Sequence, residues 1–287
     1  LDSSNLALTD LLLNLSGTLS PVRYLYSLGF KPFEWQVEAM KPHPRLILNC
    51  CRQAGKSTVI SAKAVYRAKH FPRSLILLIS PTERQSIELM KKIDDFMKAD
   101  PQTIGLKVDN TFEKEFWNRS RIVALPGSEK SVRGFSAPSM IIIDEASRVT
   151  DEMFYALRPM MSGEDTHTEL ILMSTPFGKR GFFYQSWLSS HRWKRIEVSG
   201  RREDIPEDAY RYTKEQYGIL AWYSPRHTKE FLEEEKEAMG DWWFSQEYLC
   251  QFVEAEDNVF RMEDIMAALL DTGQPVAKNI YEEALLD

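Results

Sequence analysis

The chain has 287 residues, 43% of them hydrophobic and 27% charged, which is the composition of an ordinary globular protein with one large core and a satellite subdomain, or two modest domains. No apolar run is long enough to cross a bilayer as a helix, and the first residues show no basic-then-apolar signal pattern. Its three cysteines, Cys50, Cys51 and Cys250, suit neither a disulfide framework nor a zinc site, and the net charge of −6 does not point to nucleic acid, although a local basic strip rather than the total is what meets phosphates.

In chain order, residues 1–29 read as an N-terminal helical segment and 30–200 as an α/β core. Within the core, "RLILNC", "SLILLIS", "SRIVALP", "SMIIIDE", "ELILMST" and "KRIEVSG" are short, continuously apolar runs edged by Ser, Gly, Pro or charge. Such runs are expected of strands covered on both faces of a mostly parallel sheet. Helical patterns at Lys56–His70, Glu83–Ala99 and Asp151–Met161 alternate with them, so helices should flank the sheet. After residue 200 the texture turns charged and aromatic. Residues 201–260 read as a small helical lid or linker subdomain, with a strand signal only in "YLCQFVEA", and 261–287 as a linker and one amphipathic helix.

The chemistry starts at "CCRQAGKST". The pattern G-x-x-x-x-G-K-[ST] wants a glycine where Cys50 stands, but Gly55, Lys56 and Ser57 are kept. Gly55 is the position where a side chain would collide with phosphate. A strand before the tripeptide and a helix after it favour a phosphate-binding loop over a surface turn. In that setting Lys56 reaches the β- and γ-phosphates of ATP and the Ser57 hydroxyl binds Mg²⁺. The run "MIIIDEAS" then sets Asp144 and Glu145 at the carboxyl end of a buried strand, where ligands of open α/β sheets gather. Asp144 is expected to hold the Mg²⁺ water shell beside Ser57, and Glu145 to act as general base toward the attacking water.

Together "CCRQAGKS", "IIIDEAS" and "LMSTP" resemble the ATPase domain of the large terminase subunit of tailed double-stranded DNA phages, over roughly residues 30–260. The resemblance implies a P-loop NTPase fold of the ASCE, RecA-like class. It also implies a first-glycine departure with Arg52 and Gln53 inside the loop, so that the ATP contacts run over Arg52, Gln53, Ala54, Gly55, Lys56, Ser57 and Thr58. "FEWQ" is similar to the family's adenine-binding motif, with Gln36 reading the base; Trp35 reads as core. Ser174 and Thr175 are similar to its coupling motif, which senses the γ-phosphate. Arg133, before Gly134, resembles an arginine inserted into a neighbour's site, while Arg52 would act within its own subunit as the other catalytic arginine. "SPTERQSIELM" echoes the nucleic-acid-facing segment of helicase-like motors. Arg119, Arg121, Lys179, Arg180, Arg192 and Lys194 are basic candidates for DNA contact.

The partners implied are double-stranded DNA, the portal of a procapsid, a small terminase subunit and further copies in a ring, in the host cytoplasm and with no membrane. The family's nuclease domain is expected to be absent, since no strand-borne acidic triad is visible after the linker. Two other readings remain open: a helicase of the two-RecA-domain superfamily, and a non-catalytic ATP-gated assembly protein.

Overall fold

A computed structural model of the chain describes residues 20–100, 105–126, 132, 134–161, 168–189, 191–200, 211–214 and 218–254. Two short helices, α1 (Pro21–Ser27) and α2 (Glu34–Met40), lead into β1 (Arg45–Cys50), α3 (Lys56–His70), β2 (Leu75–Ser80) and α4 (Glu83–Ala99). There follow β3 (Leu106–Asp109), β4 (Glu113–Phe116), β5 (Arg121–Pro126), β6 (Met140–Asp144), α5 (Asp151–Leu157), β7 (Glu169–Ser174), α6 (Gly181–Leu188) and β8 (Lys194–Ser199). The described elements end with β9 (Arg211–Lys214), β10 (Ile219–Tyr223) and α7 (Lys229–Glu247). All of them belong to one compact unit that ends at Phe252.

The strands form one sheet of ten in the order β3-β4-β5-β2-β6-β7-β1-β8-β10-β9. From β5 to β10 every neighbouring pair is parallel, and only the edges, β3-β4-β5 and β10-β9, are antiparallel. The apolar runs are continuous because both faces are covered. Leu46, Leu48, Ile76, Leu78 and Ile142 enter one core with α3 and α4. Ile47, Leu77, Ile79, Ile141 and Ile143 enter a second core with α5 and α6. Successive residues of one strand therefore feed opposite layers, and each buried Leu or Ile contributes about 1.5–3 kcal/mol of burial.

The six apolar runs are β1, β2, β5, β6, β7 and β8, as the sequence pattern predicts, in a P-loop NTPase architecture. Four strands escape it. β3 (LKVD), at the sheet's edge, carries a charge at every second position, as edge strands do to discourage pairing with another chain, and β4 (EKEF) beside it opens on three successive charges. β10 (ILAWY) is buried and parallel to β8, so residues 201–260 are not wholly helical: part of that stretch extends the central sheet through β10 and β9. The strand signal in "YLCQFVEA" is not realised, since Tyr248 to Glu254 form no strand among the described residues. The helical pattern at 151–161 is α5 followed by a tighter 3₁₀ turn over Arg158–Met161. α7 is two helical stretches joined at Gly240, whose φ of 77° a residue with a side chain rarely adopts. The readings for residues 1–19, for 261–287 and for Arg133 lie outside the described residues.

Candidate active site

Strand order decides what meets at the carboxyl edge of the sheet. β7 runs between β1 and β6, with Asn49 opposite Ser174 and Asp144 opposite Met173. The loop after β1, the acids ending β6 and the hydroxyls ending β7 thus emerge side by side, within two inter-strand spacings, about 10 Å.

The loop itself explains the departure at position 50. Cys50 is still part of β1 and fully buried, so no glycine is needed there. The turning is done later, by Gln53 (φ 55°) and Gly55 (φ 100°). A Cβ on Gly55 would lie 3.1 Å from Gln36 Nε2 in a backbone conformation that disfavours any side chain. The loop is anchored from outside: Cys51 N–H donates to Val198 O (2.8 Å) and Arg52 N–H to Glu247 O (2.9 Å). Among the described residues the N–H groups of Gln53, Gly55, Lys56 and Ser57 meet no backbone acceptor. They end a 15-residue helix whose positive dipole end points the same way. Ala54 is buried beneath the loop, and Thr58 lies in the first turn of α3.

Charge converges on this loop. Lys56 Nζ is 3.5 Å from Glu145 Oε1, and Ser57 Oγ donates to Asp144 Oδ2 across 3.5 Å. Burial on its own would lower the Lys56 pKa, but Glu145 and then Asp144 outweigh it and the ammonium is held above its usual range. Burial pushes Asp144 up to about 6, against the pull of Lys56 and with help from the neighbouring Glu145 charge. The Glu145 N–H donates back to Asp144 Oδ1 at 3.0 Å. Glu145 sits in the left-handed region (φ 48°, ψ 44°), a conformation that costs a non-glycine residue about 1–3 kcal/mol. Its carboxylate is met by Ser174, whose hydroxyl donates to Oε2 at 3.4 Å and lies 2.8 Å from Ser147 Oγ. Ser174 and Thr175 are both buried.

The oxygens of Ser57 and Asp144 are hard donors suited to Mg²⁺, which takes its remaining ligands from phosphates and water. Among the described residues no group of three or more His, Cys, Asp or Glu side chains stands ready to hold a metal alone.

Gln36 is fully buried beneath Gly55. Its Oε1 accepts from Phe33 N–H (3.0 Å) and its Nε2 donates to Gly55 O (3.5 Å). Trp35 is core. Arg52 is turned onto α7: its Nε donates to Glu247 Oε2 at 2.9 Å, and Arg148 Nη2 reaches the other oxygen at 3.2 Å. Of the basic candidates, Arg121 pairs with Glu113 and Lys194 with Glu38. In "SPTERQ", Thr82 caps α4 by accepting from Gln85 N–H. Sequence reasoning missed Glu247, Arg148 and Gln246, whose Oε1 accepts from Gly178 N–H at 2.8 Å. It also missed Arg226, whose guanidinium lies beside Gly55. Glu247 is about two hundred positions from the loop it anchors, and no local pattern signals a contact at that separation.

The geometry has known counterparts. Chains similar to this one include the terminase large subunit of Thermus phage G20c, 25% identical over 270 residues that cover 86% of this chain and 54% of that protein. The probable large terminase subunit of Enterobacteria phage P7 is 27% identical over 46% of the chain and 29% of its own length. The chain thus spans about half the length of the Thermus phage relatives it matches. Among solved structures, the large terminase ATPase domain of Thermus phage P74-26 superposes with a TM-score of 0.60 at 20% identity, over 80% of this chain and 98% of that one. The HK97 bacteriophage large terminase gives 0.58 at 14%, over 77% and 51%. The large terminase of a thermophilic bacteriophage, solved with ADP, gives 0.55 at 12%, over 77% and 53%. At such identities these structures speak for the fold alone. A family model described as "Terminase large subunit, T4likevirus-type, N-terminal" matches residues 47–267, and the chain therefore belongs to that family of phage large terminase subunits.

Proposed function

We propose that this chain is the ATP-hydrolysing motor domain of its terminase, and that turnover drives double-stranded DNA into a procapsid. The observation that carries the reading is the convergence of Lys56, Ser57, Asp144 and Glu145, from two different strand ends, at a loop whose Gln53, Gly55, Lys56 and Ser57 N–H groups meet no backbone acceptor among the described residues. In this reading the N–H groups of Gln53, Gly55, Lys56 and Ser57 cradle the phosphates, and Lys56 leaves Glu145 for them. Ser57 and Asp144 hold the Mg²⁺, which neutralises charge on the phosphates when bound. Once Lys56 has let go, Glu145 is free to take a proton from the attacking water, and its backbone conformation keeps the carboxylate over the site. Ser174, bonded to the same carboxylate, feels that exchange directly and is the natural coupling element, with Thr175 behind it.

Arg52 and Arg133 are the arginines proposed to meet transferring phosphate charge. For Arg52 this requires release from Glu247, and so links the loop to α7. Arg133 would act on a neighbouring copy in a ring. For Gln36 the contacts favour holding Gly55 in place; reading adenine would require its amide to leave Phe33. DNA, the portal and the small terminase subunit are the proposed partners, in the host cytoplasm. Membership in the family supports them.

The test is steady-state ATP turnover alongside ATP binding. Glu145→Gln should lower turnover by about 10²–10⁴-fold and leave Mg-ATP affinity within a few-fold. A non-catalytic assembly protein would show negligible turnover before the change. If Arg133 acts in trans, turnover per subunit rises with protein concentration and Arg133→Ala removes the rise.

A further inference from the structure

The opposite, amino-terminal edge of the sheet carries a second constellation. Between β1, α5 with its 3₁₀ extension, and α6 lies an open cavity of about 380 Å³, lined among others by Arg45, Arg158, Arg192, Tyr155, Phe182 and Trp193. Among the described residues no Asp or Glu lines it. Arg45 Nη1 finds only the carbonyl of Pro44 (3.4 Å) and the Met161 sulfur (3.7 Å). Arg192 Nε finds only the ring of His191 (3.2 Å). Among the described residues none of the three arginines is paired with a carboxylate. Burial and then the charge of Arg158 lower the Arg45 pKa, so two guanidinium groups share the cavity lining with no counterion among the described residues.

Like charges held together in a half-sheltered cavity oppose folding unless an anion answers them. Guanidinium forks match phosphate oxygens in pairs, and Tyr155 and Trp193 offer faces on which a base can stack. The volume is at the small end of ligand sites. We propose that this cavity binds a nucleotide-sized phosphate ester, with the phosphate on Arg45, Arg158 and Arg192 and the base against Tyr155 or Trp193. The ester is either a free nucleoside phosphate or one nucleotide unit of a single strand. The site is separate from the P-loop but joined to it by β1: Arg45 opens the strand that Cys50 closes, about 17 Å away at 3.3 Å per residue.

The experiment uses the whole chain carrying Lys56→Ala, to silence the P-loop, and reads binding by calorimetry. The probes are 2′-deoxyadenosine monophosphate and a ten-residue thymidine oligonucleotide. At least one should bind, and Arg158→Gln with Arg192→Gln, two exposed positions that leave the cores intact, should weaken it at least tenfold. The monophosphate binding better identifies the free nucleotide as the source; the oligonucleotide binding better identifies the strand. Absence of binding by both, or affinity indifferent to the two substitutions, overturns the proposal. So does stronger, arginine-dependent binding of a poly-glutamate peptide, which would mark an acidic protein partner. Glu164 and Asp165 stand in the neighbouring segment 162–167, outside the described residues. If the probes bind only after Glu164→Gln with Asp165→Asn, the arginines are answered within the chain and the proposal fails.

Discussion

The two ends of β1 handle positive charge in opposite ways. At the carboxyl end Lys56 is buried between two carboxylates, so the resting site is neutralised from within. At the amino end Arg45 and Arg158 line one cavity in which no carboxylate stands among the described residues. A compensated site has to exchange one set of partners for another when ligand arrives, which makes it suited to turnover and signalling. An uncompensated site only gains on binding, which makes it suited to holding. The same strand carries both.

Breaking the compensated end should have the largest effect. Lys56→Ala leaves the buried Asp144 and the half-buried Glu145 side by side without their cation and removes the ligand's main charge partner. Loss of Mg-ATP turnover should exceed about 100-fold, and a phosphate-release assay checks it. A residual rate within tenfold of the parent would mean that the nucleotide is held elsewhere.

A smaller effect is expected where the loop meets α7. Glu247 accepts from both Arg52 and Arg148, and Glu247→Gln weakens both contacts while keeping the shape. If Arg52 must leave Glu247 to reach phosphate, the substitution should tighten ATP severalfold, with turnover changed less. It should also lower the melting temperature of the nucleotide-free chain by a few degrees, since hydrogen bonds to charged groups are worth about 1.5–3 kcal/mol. Unchanged ATP affinity together with lower stability would leave the pair a purely structural tie.

The smallest effect sharpens the electrostatics. In the folded, nucleotide-free chain Asp144 titrates near 6, above its ordinary 3.8. A raised carboxyl pKa means that the folded state holds its proton more tightly than the unfolded state does. That contribution is full below about pH 4 and is lost as pH rises through 6. Asp144→Asn should therefore melt higher than the parent at pH 8, with the gap closing toward pH 4. The parent should also lose Mg-ATP affinity as pH falls below 6 and Asp144 takes up its proton. A melting difference that does not vary with pH would contradict this account of the buried acid.

Much of this arrangement was legible in the sequence, for a physical reason. Strands covered on both faces must be apolar throughout, so β1, β2, β5, β6, β7 and β8 announce themselves, and Gly55-Lys56-Ser57 and Asp144-Glu145 stand at the ends of two of them. β3 and β4 obey a different rule: the edge strand and its neighbour carry charge and look like loops. β10 was hidden because five residues in a charged, aromatic stretch give too short a signal. Glu247 and Arg226 were invisible, because they reach the loop through the packing of α7 and the turn before it rather than through any spacing. The arginine cavity was equally out of reach: Arg45, Arg158 and Arg192 come from three separate segments, and only Arg192 stands among the basic candidates for DNA contact, with nothing in the sequence joining it to the other two.

The most direct measurement of the central claim is a crystal structure of the Glu145→Gln chain grown with ATP and Mg²⁺. In that structure Lys56 Nζ should lie on the terminal phosphate, the ion between Ser57 Oγ and Asp144, and the side chain at 145 should face the phosphate. A nucleotide bound away from Gly55, or Lys56 and Asp144 contacting no part of it, would contradict the account.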